Sequence, residues 1–177
     1  MVEDEKELGT ICVDIGGGTT DISVFFDGEA VYTDSVPIGG NHVTNDIARG
    51  LSTPVAYAER MKTLYGSVIP SASDDQEIIK VPLVGEEDDG ENQVPRSLLV
   101  SIIRPRIEEI YELVREKLEP TGFDKAGARR VVLTGGASQL SGMRELAGEI
   151  MDKQVRIGQP NYIKGLAESV NGPAFSC

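Results

Sequence analysis

The stretch VDIGGGTTDIS, residues 13–23, determines how the rest of the sequence is interpreted. An apolar run leads into three consecutive glycines, and DISVFF leaves the loop with the β-branched and aromatic residues that are typical of a strand. We therefore predict strands at residues 10–15 and 21–28, joined by the turn GGGTT. EAVYTDSVPI, residues 29–38, is interpreted as a third strand, which makes the segment an antiparallel meander.

Two familiar phosphate loops are excluded by the residues around these glycines. A Walker A loop needs a lysine that opens a helix, and no lysine occurs between Leu8 and Arg49. A dinucleotide fingerprint needs glycine where this chain has Asp21.

A glycine hairpin can nevertheless bind phosphate through successive backbone N–H groups that form an anion-binding nest. Thr19 and Thr20 would add hydroxyl donors, and Asp14 could hold water on a Mg²⁺ ion that bridges phosphate oxygens. The alternative is a tight glycine-rich turn that binds nothing.

A second glycine loop follows another apolar strand. RRVVLTGGASQLSGMRELAGEIM, residues 129–151, predicts a strand, a glycine loop and a helix. The N–H groups at such a helix start can hold an anion or pack against a flat ring. An ordinary strand-to-helix connection is the alternative, but two such loops together favour a ligand site.

Between the two loops the sequence alternates helix and strand signals. Helices are expected at residues 41–51 and from Pro54 to Tyr65, the second with Thr53 as N-cap and Gly66 as C′ glycine. A strand follows at residues 77–85, with Pro82 marking an edge, and then a solvated acidic loop at 85–93. A long helix is expected at 98–118, and a short strand within QVRIGQP, residues 154–160. Pro105 predicts a kink or a late start of the long helix. The order indicates an α/β fold whose middle part forms its own lobe.

Composition narrows the possible function classes. The 177 residues carry a net charge of −12, which argues against binding to nucleic acid or to anionic lipid. No apolar run is long enough to span a bilayer, and the acidic opening residues are unlike a targeting sequence. Cys12 and Cys177 are too few for a disulfide framework, and Cys12 is expected to be a small buried thiol.

These motifs carry a resemblance to a known superfamily. Residues 13–23 resemble the phosphate-2 motif of the actin-like ATPases, and VLTGGASQLSGM, residues 132–143, is similar to their adenosine motif. The connecting segments 37–66, 96–114 and 154–160 resemble the FtsA family of bacterial division proteins, which tether FtsZ filaments to the membrane.

The resemblance implies the fold and the extent of the chain. We expect the second half of an actin-like, ribonuclease H-like ATPase, an α/β fold in which a mixed sheet with flanking helices carries a smaller α+β insertion lobe. Residues 1–50 and 128–177 would form subdomain 2A, and residues 51–127 would form subdomain 2B. A phosphate-1 loop would precede this segment, and a C-terminal amphipathic membrane helix would follow it.

The resemblance also implies ATP and Mg²⁺ as cofactors and assigns residues to them. Asp14 would orient the magnesium waters, and the Glu59–Lys62 pair would contact ribose and adenine unless it is a solvated surface pair. His42 has no matching role and is expected to face solvent. The remaining phosphate and adenosine contacts are implied for Gly16, Gly17, Gly18, Thr19, Thr20, Gly135, Gly136 and Ser138.

The implied partner is the acidic C-terminal tail of FtsZ, which requires local positive charge. Arginines at the start of the long helix, beside two isoleucines, are the candidates, because guanidinium groups bind carboxylates bidentately. The alternative is ordinary surface charge paired with Glu108 and Glu109. The candidate residues are Arg96, Ile102, Ile103, Arg104 and Arg106.

The family further implies self-association into filaments, other divisome partners, and a position at the cytoplasmic face of the division site, with the C-terminal helix as the membrane contact. The full protein would be at most a weak ATPase, and this chain alone would bind nucleotide weakly and hydrolyse none. Alternatives are half of a pilus-assembly or cell-shape protein, half of a sugar or acetate kinase, or an interaction module with degenerate loops.

Overall fold

The computed structural model describes residues 3–85, 91–123 and 128–158. The helices are α1 Glu3–Leu8, α2 Gly40–Gly50, α3 Val55–Tyr65, α4 Arg96–Leu118 and α5 Met143–Met151, with short 3₁₀ turns at Glu119–Thr121 and Gly136–Gln139. The strands are β1 Thr10–Ile15, β2 Thr20–Phe26, β3 Glu29–Val36, β4 Ile78–Pro82, β5 Glu91–Pro95, β6 Arg130–Thr134 and β7 Gln154–Ile157.

Five strands form one mixed sheet in the order β3-β2-β1-β6-β7. The first three strands are antiparallel neighbours, which confirms the predicted meander, whereas β1 pairs with β6 and β6 with β7 in parallel. Asp14 stands opposite Thr134 in the β1–β6 register. Because parallel strands end at the same edge of a sheet, the two glycine loops lie side by side there.

Helix α4 packs against β3 and helix α5 against β7, while α2 packs on α4, and one hydrophobic core joins these elements. Along β1, Ile11, Val13 and Ile15 are fully buried, as the period of two in a strand requires for one face. The predicted stripe of α4 is buried throughout, and its members are Ile103, Ile107, Ile110, Val114 and Leu118.

Helix α4 begins earlier than predicted and continues through its proline. It starts at Arg96 and contains Pro105 within 23 helical residues, so of the two alternatives predicted for Pro105, a kink or a late start, the late start is wrong. Proline removes one backbone hydrogen bond, but burial of the long apolar stripe outweighs that loss.

The start of α3 was predicted with the wrong cap. Pro54 precedes the helix, which begins at Val55, and the Thr53 hydroxyl donates to the Pro82 carbonyl at 2.7 Å. Thr53 therefore connects the helix to β4 instead of capping it. Gly66 ends the helix with extended backbone (φ −65°, ψ 132°), so no left-handed turn is involved. Glycine suits this position because a Cβ there would collide with the Lys62 carbonyl and with Leu140.

A separate two-stranded sheet pairs β4 with β5. Strand β5 was not predicted, because residues 91–93 were assigned to the acidic loop. The rest of that loop, residues 86–90, lies outside the described residues, as do Gln159, Pro160 and Cys177. Strand β7 is present as predicted.

In the described part of the chain, no helix has both the length and the apolar character that a membrane crossing requires. The division into subdomains 2A and 2B stays a prediction. Helix α4, assigned to 2B, packs against both α2 and α5.

Candidate functional site

Both glycine loops open onto one cleft of about 440 Å³. The first loop contributes Gly16 and Gly17, and the second contributes Gly136 and the residues that follow it. Helix α3 supplies Glu59 and Lys62 from across the cleft. The remaining lining residues are Gly40, Asn41, Thr63, Gly66, Ala137, Gln139 and Leu140.

The two loops touch at Gly135. This glycine has φ +86°, and a Cβ there would collide with Asp14 Oδ1 and would lie 2.5 Å from the Ile15 carbonyl oxygen. Glycine is therefore the residue that lets the second loop approach the end of β1. The contact places the Asp14 carboxylate at the junction of the two loops.

The first loop is fastened to the start of α2 by backbone hydrogen bonds. The carbonyls of Gly16 and Gly17 accept from the N–H groups of Gly40 and Asn41, both at 2.8 Å. The Gly16 N–H donates to Thr19 within the turn at 2.9 Å. Gly17, Gly18 and Thr19 are exposed at the tip of the turn, where a phosphate could approach the backbone.

Two hydroxyl groups assigned to the ligand are committed inside the protein. Thr20 is fully buried and donates to the Ile38 carbonyl at 2.7 Å, and Ser138, 1% exposed, donates to the Gly135 carbonyl at 2.7 Å. These bonds contradict the predicted ligand contacts through the two hydroxyls. Both side chains stabilise the loops instead.

Glu59 and Lys62 do not form a solvated surface pair. Lys62 is 8% exposed, and its Nζ lies 2.7 Å from Glu59 Oε2, 2.9 Å from Thr44 Oγ1 and 3.1 Å from the Gly40 carbonyl oxygen. The Thr44 hydroxyl lies 2.5 Å from the same Glu59 oxygen. Burial alone would raise the pKa of Glu59, but the hydrogen bonds from Lys62 and Thr44 outweigh it and leave that pKa lowered.

His42 has a structural role that the sequence did not reveal. Its Nδ1 accepts a hydrogen bond from the Gly39 N–H at 3.1 Å at the start of α2, and the ring is half-buried. The ring therefore faces solvent in part, as predicted, while its Nδ1 stabilises the start of α2. Cys12 is half-buried and unpaired, and its pKa is raised by burial and by the nearby Asp14 carboxylate.

The arginines predicted to bind an acidic tail are already paired with acidic side chains of this chain. Arg96 pairs with Asp74, Arg104 with Glu108, and Arg106 with both Asp46 and Glu109. Such pairing is the alternative that the sequence left open.

The isoleucines beside these arginines also differ from the prediction. Ile103 is fully buried in the core, so it cannot anchor a partner. Ile102 is half-buried and packs close to Gly50 of α2.

Several cleft residues were missed by the sequence analysis. Asn41 lies directly after the glycine pair at the start of α2, and Gln139 and Leu140 lie within the second motif. Thr44, which lies behind the cleft and contacts Glu59, was missed as well. The glycine pair before α2 was the available signal, because glycines at a helix start permit close approach of another backbone.

The described residues do not by themselves form a complete set of protein ligands for a metal ion. Among them, no group of three His, Cys, Asp or Glu side chains could hold a metal. Asp14 alone fits a Mg²⁺ held through water and phosphate oxygens, since magnesium commonly keeps several waters.

Comparison with known proteins identifies the family. Residues 11–177 match the family model of the cell division protein FtsA. The chain is 50% identical over 177 residues to the cell division protein FtsA of Rhizobium meliloti (strain 1021), covering 99% of this chain and 40% of that protein. The chain thus spans about 40% of the length of this curated relative.

Solved structures show the actin-like fold. MreB5 of Spiroplasma citri bound to ADP aligns with a TM-score of 0.71 at 21% identity, covering 89% of this chain and 50% of that one. The MamK double helical filament aligns with a TM-score of 0.64 at 20% identity, covering 84% of this chain and 49% of that one. The expected actin-like α/β fold is confirmed. On the family match, this chain belongs to the FtsA family of cell-division proteins.

Proposed function

We propose that this chain is the ATP-binding second half of a cell-division scaffold, in which the nucleotide regulates assembly more than it drives chemistry. One observation carries the proposal. The parallel pairing of β1 with β6 brings both glycine loops to a single cleft that α3 closes from the other side.

The residues of the cleft suit the parts of a nucleotide. The backbone N–H groups of the exposed residues Gly17, Gly18 and Thr19 would donate hydrogen bonds to phosphate oxygens. Gly136 and the residues after it would bound the adenine ring, and the Glu59 carboxylate would accept the ribose hydroxyls. Bound Mg²⁺ would neutralise phosphate charge, and Asp14 would hold one of its waters.

The structural neighbours support the same proposal. MreB5 was crystallised with ADP, and MamK forms a double helical filament. We extend both properties to the FtsA protein that contains this chain, together with attachment to the cytoplasmic face of the membrane at the division site.

Titration with MgATP, followed by NMR, tests the nucleotide site and tolerates weak affinity. We expect amide shifts at residues 16–19, 59–63 and 136–140, and weaker binding by Glu59→Gln. Glu145→Gln is the matched control, because Glu145 is an exposed acid on α5 away from the cleft. Shifts concentrated elsewhere, or equal affinity of the Glu59 variant and the wild type, would contradict the proposed site.

We also propose that the FtsZ tail binds near the start of α4. An acidic tail would have to displace Glu108 from Arg104, and both Asp46 and Glu109 from Arg106, so binding should be weak and sensitive to salt. Titration of an FtsZ tail peptide against Arg104→Glu plus Arg106→Glu tests this. Arg115→Glu plus Arg144→Glu, which changes the same charge elsewhere, is the control. Equal affinity for the two double variants would refute the assignment.

A further inference from the structure

The ammonium group of Lys62 is fully used within the chain. It carries three protons, and three acceptors lie within hydrogen-bonding distance, namely Glu59 Oε2 at 2.7 Å, Thr44 Oγ1 at 2.9 Å and the Gly40 carbonyl oxygen at 3.1 Å. The residue is 8% exposed although it lines the cleft. A ligand would therefore find no donor at Lys62 unless one of these bonds broke.

Thr44 holds the same carboxylate oxygen from a second helix. Its hydroxyl accepts from Lys62, and its one proton has two acceptors within reach, Glu59 Oε2 at 2.5 Å and the Gly40 carbonyl oxygen at 3.1 Å. The shorter contact assigns the proton to Glu59, and Thr44 is 3% exposed. Glu59 Oε1 makes no side-chain hydrogen bond within residues 3–85, 91–123 and 128–158, and the side chain of Glu59 is 51% exposed. One carboxylate oxygen is fixed and the other is available to a ligand.

The same network reaches the first glycine loop, residues 16–19, which we call the phosphate loop because the proposed function assigns the phosphates to it. The Gly40 carbonyl accepts from Lys62, and the Gly40 N–H donates to the Gly16 carbonyl at 2.8 Å. A continuous path of hydrogen bonds thus runs from the phosphate loop through the first residue of α2 to Lys62 and Glu59 on α3.

We infer that Thr44 and Lys62 are positioning residues, which hold Glu59 so that its second oxygen accepts the ribose hydroxyls at a fixed distance from the phosphate loop. The inference rests on the proposed nucleotide binding and revises it in one respect. Lys62 acts on the ligand through Glu59 and makes no contact of its own.

Discrimination between ATP and 2′-deoxyATP, measured by NMR titration of the 177-residue chain, tests the inference. A fixed carboxylate left unpaired by the deoxy sugar should make deoxyATP bind about tenfold more weakly to the wild type. Thr44→Val removes one of the two bonds that orient Glu59, so the preference should fall below about threefold. Thr44→Ser keeps the hydroxyl and should restore the preference.

Thr10→Val is the matched control, because Thr10 is also a buried threonine whose hydroxyl bonds to a carbonyl, yet it lies at the opposite edge of the sheet. The Glu59 carboxyl resonance gives a second readout without ligand, and its pKa should rise in Thr44→Val and stay unchanged in Thr10→Val. Unchanged discrimination or an unchanged Glu59 pKa in Thr44→Val overturns the inference while leaving nucleotide binding intact. Absence of ATP binding by the wild type overturns the proposed function and the inference together.

Discussion

At the scale of single residues, the site depends on a close approach of the two glycine loops, made at a residue that has no side chain. Gly135 sits where the second loop crosses the end of β1, with φ +86° and ψ 165°, a region that is essentially restricted to glycine. Its position would bring a Cβ against both the Asp14 carboxylate and the Ile15 carbonyl. Any other residue at position 135 would therefore lower the stability of the fold in two ways, through backbone strain and through steric crowding.

Gly135→Ala should destabilise the fold more than an alanine at another glycine with positive φ. Gly28, at φ +82°, has no atom within 4 Å of a would-be Cβ, so Gly28→Ala measures strain alone, about 1–2 kcal/mol. Crowding, together with a backbone region that is less accessible to alanine, should add about 1–3 kcal/mol at Gly135. Urea unfolding of both variants measures the difference, and equal free energies of unfolding would show that the two loops do not meet as described.

At the scale of elements, α4 is connected to three neighbours along its length. Arg106 pairs with Asp46 of α2 at 2.6 Å, the buried Tyr111 hydroxyl donates to the Met143 carbonyl of α5 at 3.1 Å, and Lys117 pairs with Asp34 of β3 at 3.0 Å. The pairs at the two ends are partly exposed, so packing of the buried stripe contributes most of the stability.

The pairing between β3 and α4 has a measurable acid signature. The Ser35 backbone N–H, Lys117 and the Tyr32 hydroxyl all stabilise the Asp34 carboxylate and lower its pKa from 3.8 to about 2. Because the pKa in the folded state is depressed, the stabilisation is complete above about pH 4 and is lost as the pH falls towards 2. Carboxyl NMR of Asp34 should show this midpoint.

Lys117→Met tests which element supplies the effect. The Asp34 midpoint should rise but stay below its ordinary value, since the Ser35 N–H is the largest cause and remains in place. Arg60→Met, which removes one exposed positive charge on α3, should leave the midpoint unchanged. A midpoint in Lys117→Met equal to that of the wild type would argue against the contact.

Periodicity and glycine spacing predicted most elements, and the errors have identifiable physical causes. Ile103 was assigned both to the buried stripe of α4 and to a partner surface. Helical periodicity places it in the stripe, and the structure shows it fully buried there. Among the described residues, β5 pairs with β4 alone, and its Asn92 and Gln93 are exposed, so its sequence is too polar to indicate a strand.

The candidate site could be predicted from the sequence only at its two loops. Glycines mark both loops, but Thr44 and Lys62 are 18 positions apart and meet only because α2 and α3 pack together. Hydrogen bonds of this kind depend on tertiary geometry, which one sequence does not display.

At the scale of the whole molecule, the proposed nucleotide would bring strong negative charge to a chain whose net charge is already −12. Lys62, the cation that lines the cleft within the described residues, is already neutralised by Glu59. Affinity must therefore come from backbone N–H groups at the phosphate end together with contacts at the adenosine end. Neither end should suffice alone.

A comparison of MgATP with magnesium tripolyphosphate tests whether the cleft acts as one site. Ligand at about ten times its Kd stabilises a protein by about 1.4 kcal/mol, which corresponds to about 3–5 °C in Tm for a chain of this size. ATP should produce this shift at millimolar concentration, whereas tripolyphosphate or adenosine at the same concentration should produce less than half of it.

The reason is that the phosphate loop and α3 are joined through Gly40 and Lys62, so a ligand that engages both ends opposes the separation of α2 from α3. Equal shifts with ATP and tripolyphosphate would mean that the adenosine end of the cleft contributes nothing, and the two loops would then form only an anion site.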